Sequence, residues 1–346
     1  MEDDTIRQPP PGQPPLADPA GRESSPTRSK APVAAAAPPR GGSKRRALLG
    51  GALAVGVAGA ASLAAWWWIP TAPTEWPEPA PPRPESVPPR AGLPPGPNLL
   101  SEAEILEFHP IAPSVVRLRE LPNVFVLAFA DLDSQGAALN RVAALIEKRG
   151  LPRDRVLDDR ALADAIARSG ATAATYYYGH NYRAGDLLRF FAQADRQGIA
   201  LNAHEQWVRA QVALPATLGL AAGDVAFISV PGIGVDVDAA VRRTILRHEI
   251  GHGHFFTNPV FAAHVTRVWR RDFTAADRTA FITFLANAGY DPDQEEIMVN
   301  ETVAYLLFTP DERFFSAAQV GLTAARAEQL RAMLLDAAPR LAGETR

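Results

Sequence analysis

The sequence predicts an α+β fold, mostly helical with a small β-sheet, preceded by a single transmembrane or signal-anchor helix and a Pro-rich linker. Three observations predict it. Of the 32 prolines, 22 fall in the first 97 of the 346 residues. A run of 23 residues, 47–69, carries no charge. Beyond residue 100, short apolar runs alternate with longer amphipathic stretches that stop at Gly or Pro.

Residues 1–46 are rich in Pro, Ala, Ser and charge, with almost no large apolar side chains. Such a tail cannot bury enough surface to offset its chain entropy, and it reads as disordered and cytoplasmic. Lys44, Arg45 and Arg46 then precede ALLGGALAVGVAGAASLAAWWWI. As a helix rising about 1.5 Å per residue, this run is long enough for a hydrocarbon core of about 30 Å. Trp66, Trp67 and Trp68 close it as an interfacial aromatic belt would, and the basic cluster ahead of it keeps the N-terminus inside. The run reads as an anchor through a lipid bilayer. SKRRALLGG, 43–51, also resembles a twin-arginine export signal, so a removed signal is the alternative. Residues 70–100 form a Pro-rich spacer. The expected location is therefore the bacterial cytoplasmic membrane, single-pass, with the C-terminal domain on the periplasmic or extracellular side.

Residues 101–346 form the globular domain. Strands are expected over 123–131 and 224–232, both continuous apolar runs bounded by turn residues. Helices are expected over 135–150, 158–170, 186–198, 238–256, 274–289, 295–308 and 323–338. Asp238 is the expected N-cap of the fourth, and Thr274 with Asp277 makes a capping box for the fifth. Cysteine is absent, which excludes disulfides and thiolate metal sites. Net charge is −3 and no basic block follows residue 46, which argues against nucleic acid as a partner.

The chemistry concentrates in ILRHEIGHGHFF, 245–256, which holds three of the seven histidines. His248 and His252 stand four apart on the expected helix, so both imidazoles share one face and can meet at one ion. Zinc bound by neutral imidazole suits this spacing. Glu249, one step round the helix, is placed to take the proton of a water acidified by that ion. His254 lies two residues past His252 and faces away. Asn258 occupies the position a spaced third histidine would need. Glu301, mid-helix in apolar surroundings, is the best third ligand, with Glu295 and Glu296 as rivals at the helix start. Tyr305, four residues after Glu301, and the aromatic segment ATYYYGHNYR, 174–183, with His180, are candidates for stabilising a developing oxyanion.

HEIGH followed by VNETVAY resembles the zincin metallopeptidases, specifically the gluzincin branch. There the third ligand is a glutamate in an N-E-x-x-[AS] context on a later helix. The resemblance implies a zincin-like catalytic domain with His248, His252 and Glu301 as zinc ligands and Glu249 as the base. It implies a hydrolase, a zinc metalloprotease acting on a peptide or protein substrate of the cell envelope. The alternatives are a non-catalytic zinc-binding envelope module and a zinc hydrolase of cell-wall amides.

Overall fold

A computed structural model describes residues 96–336. The sheet has five strands: β1 (Leu99–Leu100), β2 (Ser114–Leu118), β3 (Val124–Ala128), β4 (Asn181–Arg183) and β5 (Ala226–Val230). Their spatial order is β1-β2-β3-β5-β4, with β1 parallel to β2, β3 parallel to β5, and the other pairings antiparallel. The two central strands are buried along their whole length, which is why they read as unbroken apolar runs. The edge strands β1 and β4 are two and three residues long, too short for a periodicity to register.

Eleven α-helices are present among the described residues, among them the short α1 (Glu102–Glu107), α3 (Asp159–Arg168) and α6 (Leu214–Thr217). On one face of the sheet, Phe125, Leu127, Phe129 and Phe227 pack on α2 (Leu132–Ile146), α4 (Ala184–Gln197) and α5 (Ala203–Val212). On the other face, Val124, Val126, Ala226 and Ile228 pack on Leu246 and Ile250 of α7 (Ala239–Thr257). This alternation is the period of two expected of a covered sheet. A third layer gathers α8 (Pro259–Arg271), α9 (Ala275–Asn287), α10 (Glu295–Phe308) and α11 (Ala324–Leu335) around Phe261, Phe281, Val303 and Leu330.

The α+β class and its small mixed sheet stand, but the expected membrane-spanning helix is corrected. Among the described residues no helix is long and apolar enough to cross a membrane. α7 has the length, at 19 residues, but carries Arg242, Arg243, Arg247 and Glu249. The segments 1–46 and 47–69, and most of 70–100, lie outside the described residues. Leu99 and Leu100, just ahead of residue 101, already belong to the sheet, pairing with Arg117 and Leu118.

Local signals placed most helices. Asp238 accepts from Val241 N at 2.7 Å, and the Thr274–Asp277 capping box forms. α7 runs one residue past the expected 256, to Thr257. Asn258 ends α7 and at once caps α8 by accepting from Phe261 N, with Pro259 at its first turn.

Candidate metal centre

The centre forms where α7 meets α10. Close approach depends on glycine. A Cβ at Gly251 would stand 2.6 Å from Phe308 Cδ2 of α10, and one at Gly253 would stand 2.9 Å from Val124 Cγ2 of β3. Both lie inside normal contact distance, so the absence of a side chain lets α7 settle against the sheet and α10 together.

The spacing of four brings the imidazoles of His248 and His252 to a ring separation of 4.8 Å. Glu301 of α10 faces both: its Oε2 lies 3.4 Å from His248 Nε2 and its Oε1 lies 3.6 Å from His252 Nε2. His252 and Glu301 are buried, while the His248 side chain keeps 13% of its surface exposed. His252 Nε2 and Glu301 Oε2 have no hydrogen-bond partner. Buried polar atoms without partners are costly, and these converge on one point. A divalent cation satisfies them together, so the donor set fits zinc.

The protonation pattern agrees with that fit. Burial pushes the His248 imidazole down to about 3 and that of His252 to about 4. Both are therefore neutral at pH 7, the form that donates a lone pair to a metal. Burial also raises the Glu301 carboxyl, opposed by His252 and by the Tyr290 hydroxyl. A cation between them would reverse that rise.

Partners behind the ligands orient them. His248 Nδ1 lies 2.8 Å from Thr309 Oγ1, and Thr309 donates its hydroxyl to Ala304 O at 3.0 Å. The hydroxyl must then accept from His248 Nδ1–H, which leaves Nε2 bare for a metal. Asn300 acts on His252, raising its basicity.

Glu249 is placed differently from Glu301. One of its oxygens belongs to a group with a nitrogen of His248 and of His252, all within 4.8 Å of one another. However, its Oε2 accepts from Asn181 Nδ2 of β4 at 3.1 Å, and a Cβ at Gly179 would stand 2.2 Å from its Oε1. The backbone before β4 therefore holds Glu249 to one side of the imidazole pair. Burial, then the charge of Glu301, pushes its carboxyl well above the usual range. The rivals for third ligand are engaged elsewhere: Glu295 pairs with Arg270 at 2.5 Å, and Glu296 pairs with Arg183.

Tyr305 is brought to the centre. Its ring meets His248 edge-on at 4.8 Å and packs on Phe284 and Phe315. His180 is not brought there. It is buried between Tyr177 and Tyr182, with Nδ1 3.3 Å from Ser229 Oγ of β5. His254 is a core residue, stacked on Phe308 at 5.6 Å.

A cleft of about 260 Å³ reaches the centre, lined in part by Asn181, Arg183, Phe256, Glu296, Asn300 and Glu301. Sequence reasoning missed Asn181, Gly179, Thr309 and Tyr290. Asn181 and Gly179 flank His180 in the segment singled out for its tyrosines. Thr309 and Tyr290 carry no local signal, since each matters only through a residue distant in the chain. No known protein family, curated protein or solved structure matches this chain.

Proposed function

We propose that this chain is a zinc-dependent metallopeptidase of the gluzincin kind, hydrolysing peptide bonds with Glu249 as general base. The observation that carries the reading is the placement of Glu301. Its two oxygens stand 3.4 and 3.6 Å from the Nε2 atoms of His248 and His252. Three protein ligands with an open side are the pattern of a catalytic zinc centre rather than a closed structural one.

His248, His252 and Glu301 would hold the zinc, which when bound would supply Lewis-acid polarisation of the scissile carbonyl and a water acidified to a pKa of about 7. Glu249, fixed by Asn181, takes the proton of the attacking water as the new C–O bond forms. It returns that proton to the amine as the C–N bond breaks. Tyr305 supplies a hydroxyl toward the charge that develops on the carbonyl oxygen.

The test is elemental analysis of the full chain together with cleavage of a peptide library, wild type beside Glu249→Gln. Zinc bound by both, with cleavage reduced roughly 10²–10⁴-fold in the variant, supports the proposal. Zinc bound by both without peptide cleavage by wild type overturns it. Turnover of cell-wall fragments would then indicate an amidase, and no turnover a binding module.

A further inference from the structure

A second groove adjoins the metal cleft. It runs between α8 and the N-terminal part of α10 and holds about 620 Å³. Phe255 of α7, Ala262 of α8 and Val299 of α10 give it an apolar lining. Ala262, Thr266 and Arg270 recur at intervals of four on α8, as do Ala263, Arg267 and Arg271, so two neighbouring stripes of one helix border the groove. Arg183 and Glu296 line both the groove and the metal cleft, so the two spaces meet there.

Four arginines and two glutamates line the groove. Both glutamates are committed, Glu295 to Arg270 at 2.5 Å and Glu296 to Arg183. Among the described residues, Arg267 and Arg271 pair with no carboxylate. Arg267 donates to His264 Nδ1 at 2.7 Å, while His264 Nε2–H donates to Met333 O at 3.1 Å, so the partner of Arg267 is a neutral imidazole. Arg271 makes no hydrogen bond or ion pair among the described residues. The groove therefore carries two uncompensated positive charges, on a chain whose net charge is −3. The helix dipole accounts for cations in the last turn of α8, Arg270 and Arg271. It does not account for Arg267, which precedes that turn. Glu296 lies five residues before Glu301 on α10, about 7.5 Å along the helix axis. An extended peptide advances about 3.3 Å per residue, so one lying from the metal centre into the groove arrives roughly two to four residues from its scissile bond.

We propose that this groove receives an acidic stretch of the substrate peptide, with Arg267 and Arg271 selecting Asp or Glu roughly two to four positions from the cleaved bond. This rests on the peptidase reading above. Each guanidinium presents a fork of donors that matches a carboxylate, and the apolar lining accommodates the methylene stems of the acids. Exposed pairs of this kind are individually weak and screened by salt, so selectivity comes from the two arginines acting together.

The test uses the zinc-loaded full chain and peptide pairs that differ only by Glu-Glu against Gln-Gln at those positions, on either side of the cleaved bond. The ratio of kcat/KM is read at low and at high salt. Binding is also measured by calorimetry on the zinc-loaded Glu249→Gln chain, which reads the groove without turnover. The expected result is a preference for the acidic peptide of roughly 3–20-fold on one side of the bond, falling toward one at high salt. The preference falls toward one in the double variant Arg267→Gln, Arg271→Gln, and is lost or reversed in Arg271→Glu. The single variant removes no internal hydrogen bond, so it decides the matter even if the double variant does not fold. Cleavage by wild type with a ratio near one on both sides overturns the inference and leaves the peptidase reading standing. A preference that survives in Arg271→Glu also overturns it. Glu-selective binding that is lost in Arg271→Glu, without cleavage by wild type, would uphold the groove while removing the peptidase reading.

Discussion

Gly251 on α7 and Phe308 on α10 are in contact so close that a single methyl group on the glycine would stand 2.6 Å from the phenyl Cδ2 and 3.2 Å from Phe308 Cβ. The second distance matters more, because rotating the ring does not relieve it. This contact sets how near Glu301 comes to the two imidazoles.

Gly251→Ala sets two effects against each other. Alanine favours the helix by about 0.8–1 kcal/mol, while overpacking costs about 1–3 kcal/mol. The steric effect wins, and a net loss of about 1 kcal/mol is expected in denaturant midpoints, with weaker zinc binding. Gly185→Ala, where a Cβ would meet nothing within 4 Å, is expected to stabilise by about 0.5 kcal/mol. If both variants move the midpoint in the same direction, the packing argument fails.

Glu301→Ala and Glu296→Ala separate the third ligand from its rival. Zinc content measured on the purified full chain should fall to background in the first and stay near one equivalent in the second. The reason is that Glu301 faces both Nε2 atoms, while Glu296 is a half-exposed partner of Arg183. Retention of zinc by Glu301→Ala would reassign the centre.

Thr309→Val removes the acceptor that holds His248 Nδ1–H. Chelator competition should show zinc affinity reduced roughly 10–100-fold, the usual effect of losing an orienting partner. Thr309→Ser keeps the hydroxyl and should keep the affinity. Equal affinities in Val and Ser would mean that packing alone orients the ring.

His180 separates a structural histidine from a catalytic one by pH. Burial lowers its imidazole to about 3, against an ordinary value of 6.5. A depressed group contributes stability that is fully present above 6.5 and lost as pH falls toward 3. At pH 5 the loss is about 2 kcal/mol by the linkage relation. Glu147, raised to about 8, acts in the opposite sense, its contribution being lost as pH rises from 4.5 through 8. The comparison is therefore wild type against His180→Phe, both with chelator. The variant's unfolding free energy should vary less between pH 8 and pH 5, by about that amount. Parallel pH profiles, with activity abolished in the variant, would give His180 a catalytic role instead.

Local rules reached most of the helices and the central strands. Asp238, Asp158 and the Thr274–Asp277 box act within three residues of themselves, so their effect is visible in a short window. The helix expected from 135 starts at Leu132, because Asp131 is its cap rather than part of a turn. The helices α1, α5, α6 and α8 and the strands β1, β2 and β4 lie outside the expected elements. β4 is recruited as a three-residue edge by pairing with β5, an interaction with no local trace. Tyr176, Tyr177 and Tyr182 read as a single aromatic segment, yet they are buried by different neighbours. The first two accept the Lys148 ammonium on their ring faces, and the third reaches Glu147.

The sequence by itself determined the imidazole pair. Helical periodicity is a property of the backbone, so residues four apart share a face whatever surrounds them. It also determined that Glu249 would lie beside that pair. The sequence pointed to Glu301 among several carboxylates, and tertiary structure decided how it faces both imidazoles, which way His248 presents its free nitrogen, and what holds Glu249 aside. Those outcomes depend on Glu301, Thr309 and Asn181, each from a different segment. They are fixed by how closely α10 and β4 can approach α7, a distance set by side-chain volume at Gly251 and Gly179 rather than by any local preference.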